Sequence, residues 1–131
     1  MVSKLPREEI QELFNDIKSG NSSAKIRACQ RLGRIRRDEC VEPLIYALND
    51  DYYLTRMVAI QSLSWIGDPR MIEPIINVFT SDPDPRVRFQ AAEVLAPLIH
   101  DHPEIRNAFE KALQNGIESK EMHDLIKTVL S

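Results

Sequence analysis

The sequence predicts an all-α fold, a right-handed α-solenoid of about four helix pairs. Three observations carry that prediction. The words Glu42-Pro43-Leu44-Ile45 return as Glu73-Pro74-Ile75-Ile76, so that Pro43 and Pro74 stand 31 residues apart, and a fixed offset in this range marks a repeat architecture. Within the unit lie two single-face helical spacings, Leu44, Ile45 and Leu48 followed by Thr55, Ala59, Leu63 and Ile66. Glycine is scarce, at 4 of 131 residues, and strand-like runs of β-branched residues bounded by turns are hard to find, which leaves helices to build the core. Neither helix of a pair can bury its stripe alone, so neighbouring copies must cover it.

The first pair spans about residues 6–35. Pro6 suits a first turn, and Glu8 and Glu9 favour the positive end of a helix. Ile10, Leu13, Phe14 and Ile17 share its apolar face. Gly20 ends that helix, and Asn21-Ser22-Ser23 can cap the next. The next helix carries Ala24, Ala28, Leu32 and Ile35, in register with Thr55, Ala59, Leu63 and Ile66 of the second pair, about 38–66. The third pair, about 69–99, repeats the pattern as Val87, Ala91, Leu95 and Leu98, with one residue inserted in the turn 81–85. The fourth, about 103–130, is fainter (Ile105, Ala108, Phe109, Leu113, then Met122, Leu125, Ile126, Val129), as terminal repeats usually are. Pro43 and Pro74 are expected inside the first helix of their pairs, where each should cause a kink. Asp68-Pro69 and Asp101-His102-Pro103 read as helix starts. With no linker in view, residues 1–131 are expected to form a single domain.

Composition narrows the setting. Apolar residues at 43% suffice for a continuous core, and charged residues at 28% suit a solvated outer face. The opening residues MVSKLPREEI hold no apolar run after their lysine, and no stretch approaches the roughly 20 apolar residues of a membrane helix. Two cysteines do not make a disulfide framework. The expectation is a cytoplasmic protein with reduced thiols and no membrane partner.

Taken together, the proline in the first helix, the aspartate turn and the basic residue followed by Ala, Leu and Ile resemble the HEAT-repeat superfamily. The short period is similar to the HEAT-like repeats of phycobilisome lyase (PBS lyase) proteins. The residues that carry the resemblance are Pro43, Leu48, Asp50, Arg56, Ala59, Leu63 and Ile66, then Pro74, Asp82, Arg88, Ala91, Leu95 and Leu98. The first copy matches through Lys25, Ala28, Leu32 and Ile35, so the resemblance covers roughly residues 22–100. The signatures of tetratricopeptide and ankyrin repeats, which have similar periods, are absent. The resemblance implies a superhelical fold, which hosts many functions. It also suggests an alternative function, a phycobilisome-related accessory protein acting as a bilin lyase subunit or degradation factor. HEAT-like hydroxylases bind iron through His-Glu pairs, and this chain has no His-Glu step.

Nothing else points to catalysis. His100 and His102 flank Asp101 at a turn, and His123 stands apart, whereas a metal site needs ligands converging from several places. Cys29 falls on the buried side of its helix and Cys40 in a first turn, and neither has a histidine close in sequence to act as base. There is no Gly-rich phosphate loop, no nucleophile elbow and no CxxC. No catalytic residue, metal or cofactor is therefore assigned.

Three surface patterns remain. The run from Lys25 to Arg37 contains Lys25, Arg27, Arg31, Arg34, Arg36 and Arg37 without an acid. Of these, Arg27, Arg31, Arg34 and Arg37 are candidates for an anion or nucleic-acid site. A solvated flank paired to Glu39, Glu42 and acids of the first helix explains the run as well, and nucleic acid is the less favoured partner because the other helices do not extend the stripe. Lys25, Arg56 and Arg88 recur beside the acidic turns of Asp50 and Asp82 and read as a structural ladder between repeats. Finally, Ile26, Met57 and Phe89 form an apolar row off the main stripe of the second helices. With Gln61, Trp65 and Glu93 they mark a candidate partner-binding face, because second helices line the concave side of such a superhelix. The row serves equally as lateral packing between neighbouring helices. The function expected from these residues is a non-catalytic protein-protein interaction scaffold or adaptor whose partner is another protein.

Overall fold

Two of the second helices, at residues 22–35 and 85–95, open where a polar side chain meets the first free backbone N–H groups. Asn21 accepts a hydrogen bond from Ala24 N, and Asp84 accepts one from Arg86 N, in each case satisfying an otherwise unpaired donor. The structure, a computed structural model, describes residues 5–131. Residues 1–4, on which part of the reading of the N-terminus rests, lie outside the described residues. Eight α-helices follow in chain order, with no strand among the described residues.

The chain divides into two compact units, Met1–Met71 and Ile72–Ser131. In the first, α1 (Pro6–Ser19), α2 (Ser22–Ile35), α3 (Val41–Ala47) and α4 (Tyr53–Ile66) follow in order, with a 3-10 turn at Asp38–Cys40 between α2 and α3 and another at Pro69–Met71 after α4. α2 packs between α1 and α4, and α3 lies on α4. Ile17, Leu32, Val41, Leu44, Ile60 and Leu63 are fully buried among them. In the second unit, α5 (Ile72–Ser81) packs on α6 (Pro85–Leu95), and α7 (Pro103–Asn115) on α8 (Lys120–Leu130). Ile75, Val87, Leu95, Ile105, Phe109 and Ile126 form its core. The Phe79 and Phe109 rings meet there with centroids 5.1 Å apart.

The prolines act differently from the expected mid-helix kinks. A 3-10 turn precedes α3, and another precedes α5, so Pro43 and Pro74 sit at the third residue of their α-helices. The N–H groups of a first turn have no intrahelical acceptor, and a proline there removes nothing. The irregularity lies instead at the junction of 3-10 and α geometry just upstream. Pro97 has the opposite effect. The helix expected to run through residues 85–99 ends at Leu95 and continues as a 3-10 turn, Ala96–Leu98, because Pro97 has no N–H to donate to the carbonyl four residues back and its ring crowds the preceding turn.

Two glycines end helices for different reasons. Gly67 caps α4 in the left-handed region, φ 73°, which glycine adopts without strain. Gly20 is extended, but an added Cβ would lie 2.5 Å from the Asp16 carbonyl oxygen. Arg36 takes the register position of Gly67 one repeat earlier and is itself left-handed at φ 56°, the only described non-glycine residue with positive φ.

Candidate partner-binding surface

The α2–α4 contact in the first unit determines where Trp65 sits. Gly33 lies inside α2, where glycine costs roughly 1 kcal/mol of helix propensity. A Cβ built there would come within 2.8 Å of the Ser62 Cβ and 2.9 Å of the Trp65 Cε3. The bare backbone at Gly33 thus admits both residues of α4. The indole is held along one edge and remains 40% exposed on the other. Arg36 closes the end of this arrangement, its Nε donating to the Trp65 carbonyl oxygen at 3.1 Å. A carbonyl in the last turn of a helix lacks an intrahelical donor, and an arginine supplies one. Sequence reasoning placed Trp65 outward but missed Gly33 and Arg36. An isolated glycine within a helical pattern, and an arginine in register with a capping glycine, were the signals available.

Gln61 is exposed on α4 and donates through Nε2 to the Ser64 hydroxyl at 3.3 Å. Met57 on α4 and Ile26 on α2 are half-buried. In the second unit, Phe89 on α6 is half-buried and Glu93 is exposed. The structure therefore gathers Trp65, Gln61 and Met57 on one helix, with Ile26 on the helix packed against it.

The basic run is partly neutralised by neighbours. Arg31 holds Glu9 of α1 with two bonds, Nε to Oε2 at 2.8 Å and Nη2 to Oε1 at 3.1 Å. Arg37 reaches Glu39 at 3.3 Å. Arg27 and Arg34 are exposed and have no ion pair among the described residues. A second set of charges surrounds the turn before α4. Lys25 Nζ donates to Asp50 Oδ1 at 2.7 Å, Tyr52 N to Asp50 Oδ2 at 3.1 Å, and Arg56 Nη1 to the carbonyl oxygens of Asp50 and Asp51 at 2.9 and 3.0 Å. The second unit repeats the arginine part: Arg88 Nη1 donates to the Asp82 carbonyl at 2.6 Å, and Asp82 Oδ1 accepts from Asp84 N. A shallow depression of about 240 Å³ opens beside the first turn, lined by Lys18, Lys25, Tyr46 and Asp50 among others.

The reactive side chains are out of reach or apart. Cys29 and Cys40 are free and fully buried. Burial pushes the Cys29 thiol up to about 12 and raises that of Cys40, the reverse of what a nucleophile needs. His102 Nδ1 lies 3.3 Å from Glu104, His123 Nδ1 lies 3.8 Å from Asp124, and His100 is exposed. Among the described residues, no group of three or more His, Cys, Asp and Glu could hold a metal ion. No helix among them is long and apolar enough to cross a membrane.

A family model described as HEAT repeats matches residues 10–96. No curated protein matches the chain. Among solved structures, the complex of CpcE and CpcF of phycocyanin lyase from Nostoc sp. PCC7120 contains a chain similar to this one. The identity is 18% and the TM-score 0.53, over 95% of this chain and 99% of that one. At that identity the likeness gives the fold alone, an α-solenoid of helix pairs.

Proposed function

The chain belongs to the HEAT-repeat family, and from that premise we propose that it is a non-catalytic interaction module that binds another protein on the face of its second helices. The observation that carries this reading is Trp65, a large aromatic fixed along one edge by Gly33 and left 40% exposed on the other. Tryptophan is the residue most enriched among interface anchors, and a pre-positioned ring loses little freedom on binding. Gln61 beside it offers the polar rim that such anchors have. The buried, raised-pKa cysteines favour binding over chemistry.

Affinity capture from the source cell with wild type, Trp65→Ala and Gln61→Ala tests the proposal. The partner should be lost with Trp65→Ala and retained with Gln61→Ala while thermal melts stay close. Equal capture by wild type and Trp65→Ala would reject this face. A second reading draws on the similar solved structure, the complex of CpcE and CpcF of phycocyanin lyase. Here the chain would act as an accessory subunit to chemistry on a bilin. Titration with an open-chain bilin decides it, since an unchanged visible spectrum removes that reading.

A further inference from the structure

The two second helices of the first unit are one-sided in charge. α2 carries Lys25, Arg27, Arg31 and Arg34 and no acid, and α4 carries Arg56 and no acid. Lys25 is engaged by Asp50, Arg31 by Glu9, and Arg56 by turn carbonyls. That leaves Arg27 and Arg34 exposed, with no ion pair among the described residues. Together with Gln30 they are spaced i, i+3, i+7 and share one outward stripe of α2. Gly33, which seats the Trp65 ring, immediately precedes Arg34. Two exposed guanidiniums, with no ion pair among the described residues, and an exposed indole therefore lie on two helices packed against each other, on a chain whose net charge is −3.

We infer that this surface takes an acidic segment of a protein partner, its carboxylates on Arg27 and Arg34 and an apolar side chain on Trp65. The inference rests on the partner-binding reading above and names the partner's chemistry. A guanidinium presents a planar fork that matches a carboxylate. Seven residues of helix separate the two arginines by about 10 Å, and carboxylates four residues apart share one face of an extended peptide about 13 Å from each other, within reach of two long arginine side chains. Nucleic acid is less well served. Its affinity grows with the number of phosphates neutralised, and two free arginines on an acidic chain supply few contacts.

Trp65 is the chain's sole tryptophan, so its emission reports on the surface directly. The probes are a short synthetic peptide with two glutamates four residues apart and a leucine between them, its glutamine and lysine counterparts, and a single-stranded oligothymidylate. The glutamate peptide should shift the emission saturably and bind at least about tenfold more tightly than the glutamine peptide, with the difference shrinking in salt. The double substitution Arg27→Gln/Arg34→Gln should abolish that preference. Arg27→Glu/Arg34→Glu should transfer it to the lysine peptide, a gain that misfolding cannot produce. Equal binding of the glutamate and glutamine peptides, or a preference that survives both double substitutions, would overturn the inference. So would oligothymidylate binding without peptide binding. If Trp65→Ala abolishes partner capture while the glutamate peptide fails to bind, the acidic class falls and the partner-binding reading stands. If Trp65→Ala leaves capture intact and the peptide fails, both fall.

Discussion

The Lys25 ammonium lies 2.7 Å from an Asp50 carboxylate oxygen, with side-chain exposures of 23% and 11%, and ties α2 to the turn that opens α4. Burial pushes the Asp50 carboxyl upward. The hydrogen bonds from Lys25 and from the Tyr52 N–H outweigh it and hold the group below its ordinary value of 3.8. The hydrogen bond to Asp50 raises Lys25 above 10.5. A lowered carboxyl contributes stability that is present above its unfolded pKa and lost as pH falls through the folded one. A raised lysine contributes below its unfolded pKa and loses that contribution as pH rises through the folded one. The pair is therefore whole across the neutral range.

Asp50→Asn should cost about 1 kcal/mol at neutral pH, the scale of a hydrogen-bonded pair near the surface. It should also flatten the fall in stability on the acid side of pH 4. Urea denaturation at neutral and acid pH measures both. A variant whose pH profile keeps the wild-type acid limb would show that Asp50 does not generate it.

Asp68 provides a sharper titration. Arg70 holds its carboxylate with Nε on Oδ1 and Nη2 on Oδ2, both at 3.0 Å, and Nη2 also reaches Asp38 at 3.1 Å. The Arg70 side chain, then its backbone N–H, bring Asp68 down to about 2. Its contribution to stability is thus present above its ordinary pKa near 3.8 and lost as pH falls through about 2. Carbon-detected NMR should place the Asp68 midpoint near 2, and Arg70→Gln should return it toward the ordinary carboxylate range. An Asp68 midpoint unmoved by that substitution would mean that the guanidinium is not the cause.

Much of this arrangement was legible in the sequence, and the rest was hidden for identifiable reasons. Ala59, Leu63, Ala91 and Leu95 announced their helices because one buried face imposes one spacing, and all four are fully buried. The 3-10 turn at Asp38–Cys40 escaped notice because Cys40, Val41 and Leu44 keep an apolar spacing that suits either helix type, and only the hydrogen-bond pattern separates them. At the candidate site, the outward direction of Trp65 followed from its wheel position. Its seat on Gly33 depends on the distance between two helices, which no single-helix pattern encodes. The engagement of Arg31 by Glu9, with Arg27 and Arg34 left exposed, likewise depends on how α1 packs on α2.

The close approach at Gly33 makes opposed predictions for two neighbours. Gly33→Ala brings a Cβ within 2.8 Å of the Ser62 Cβ and 2.9 Å of Trp65 Cε3. The overlap should cost about 1–3 kcal/mol, of which alanine's better helix propensity returns about 1 kcal/mol. Ser62→Ala removes a buried hydroxyl that has no hydrogen-bond partner, so it should be neutral or stabilise by up to about 1 kcal/mol. The double variant should recover part of the loss, because alanine removes the Ser62 Oγ, also 2.8 Å from the added Cβ, but keeps the Cβ at position 62. Thermal melts with Trp65 emission measure these effects. A Gly33→Ala protein that melts with wild type and keeps its emission would show that the helices separate freely.

The last contrast separates core from binding face. Leu63 and Leu95 are fully buried, and truncation of either to alanine should cost about 2–5 kcal/mol of stability. Trp65→Ala should cost much less, since 40% of the residue already faces solvent. As an interface anchor, however, it should weaken partner binding by about 2 kcal/mol. Phe89 is half-buried and so discriminates between the two roles of the apolar row. If it anchors a partner, Phe89→Ala should resemble Trp65→Ala, and Glu93→Ala on the same helix should change binding less, as a rim residue does. If Phe89→Ala instead melts like Leu95→Ala, that position is packing between helices, and stability and binding fall together. Should Trp65→Ala also unfold like a core variant, the binding face lies elsewhere, and the exposed arginines from Arg27 to Arg37 become the first place to look.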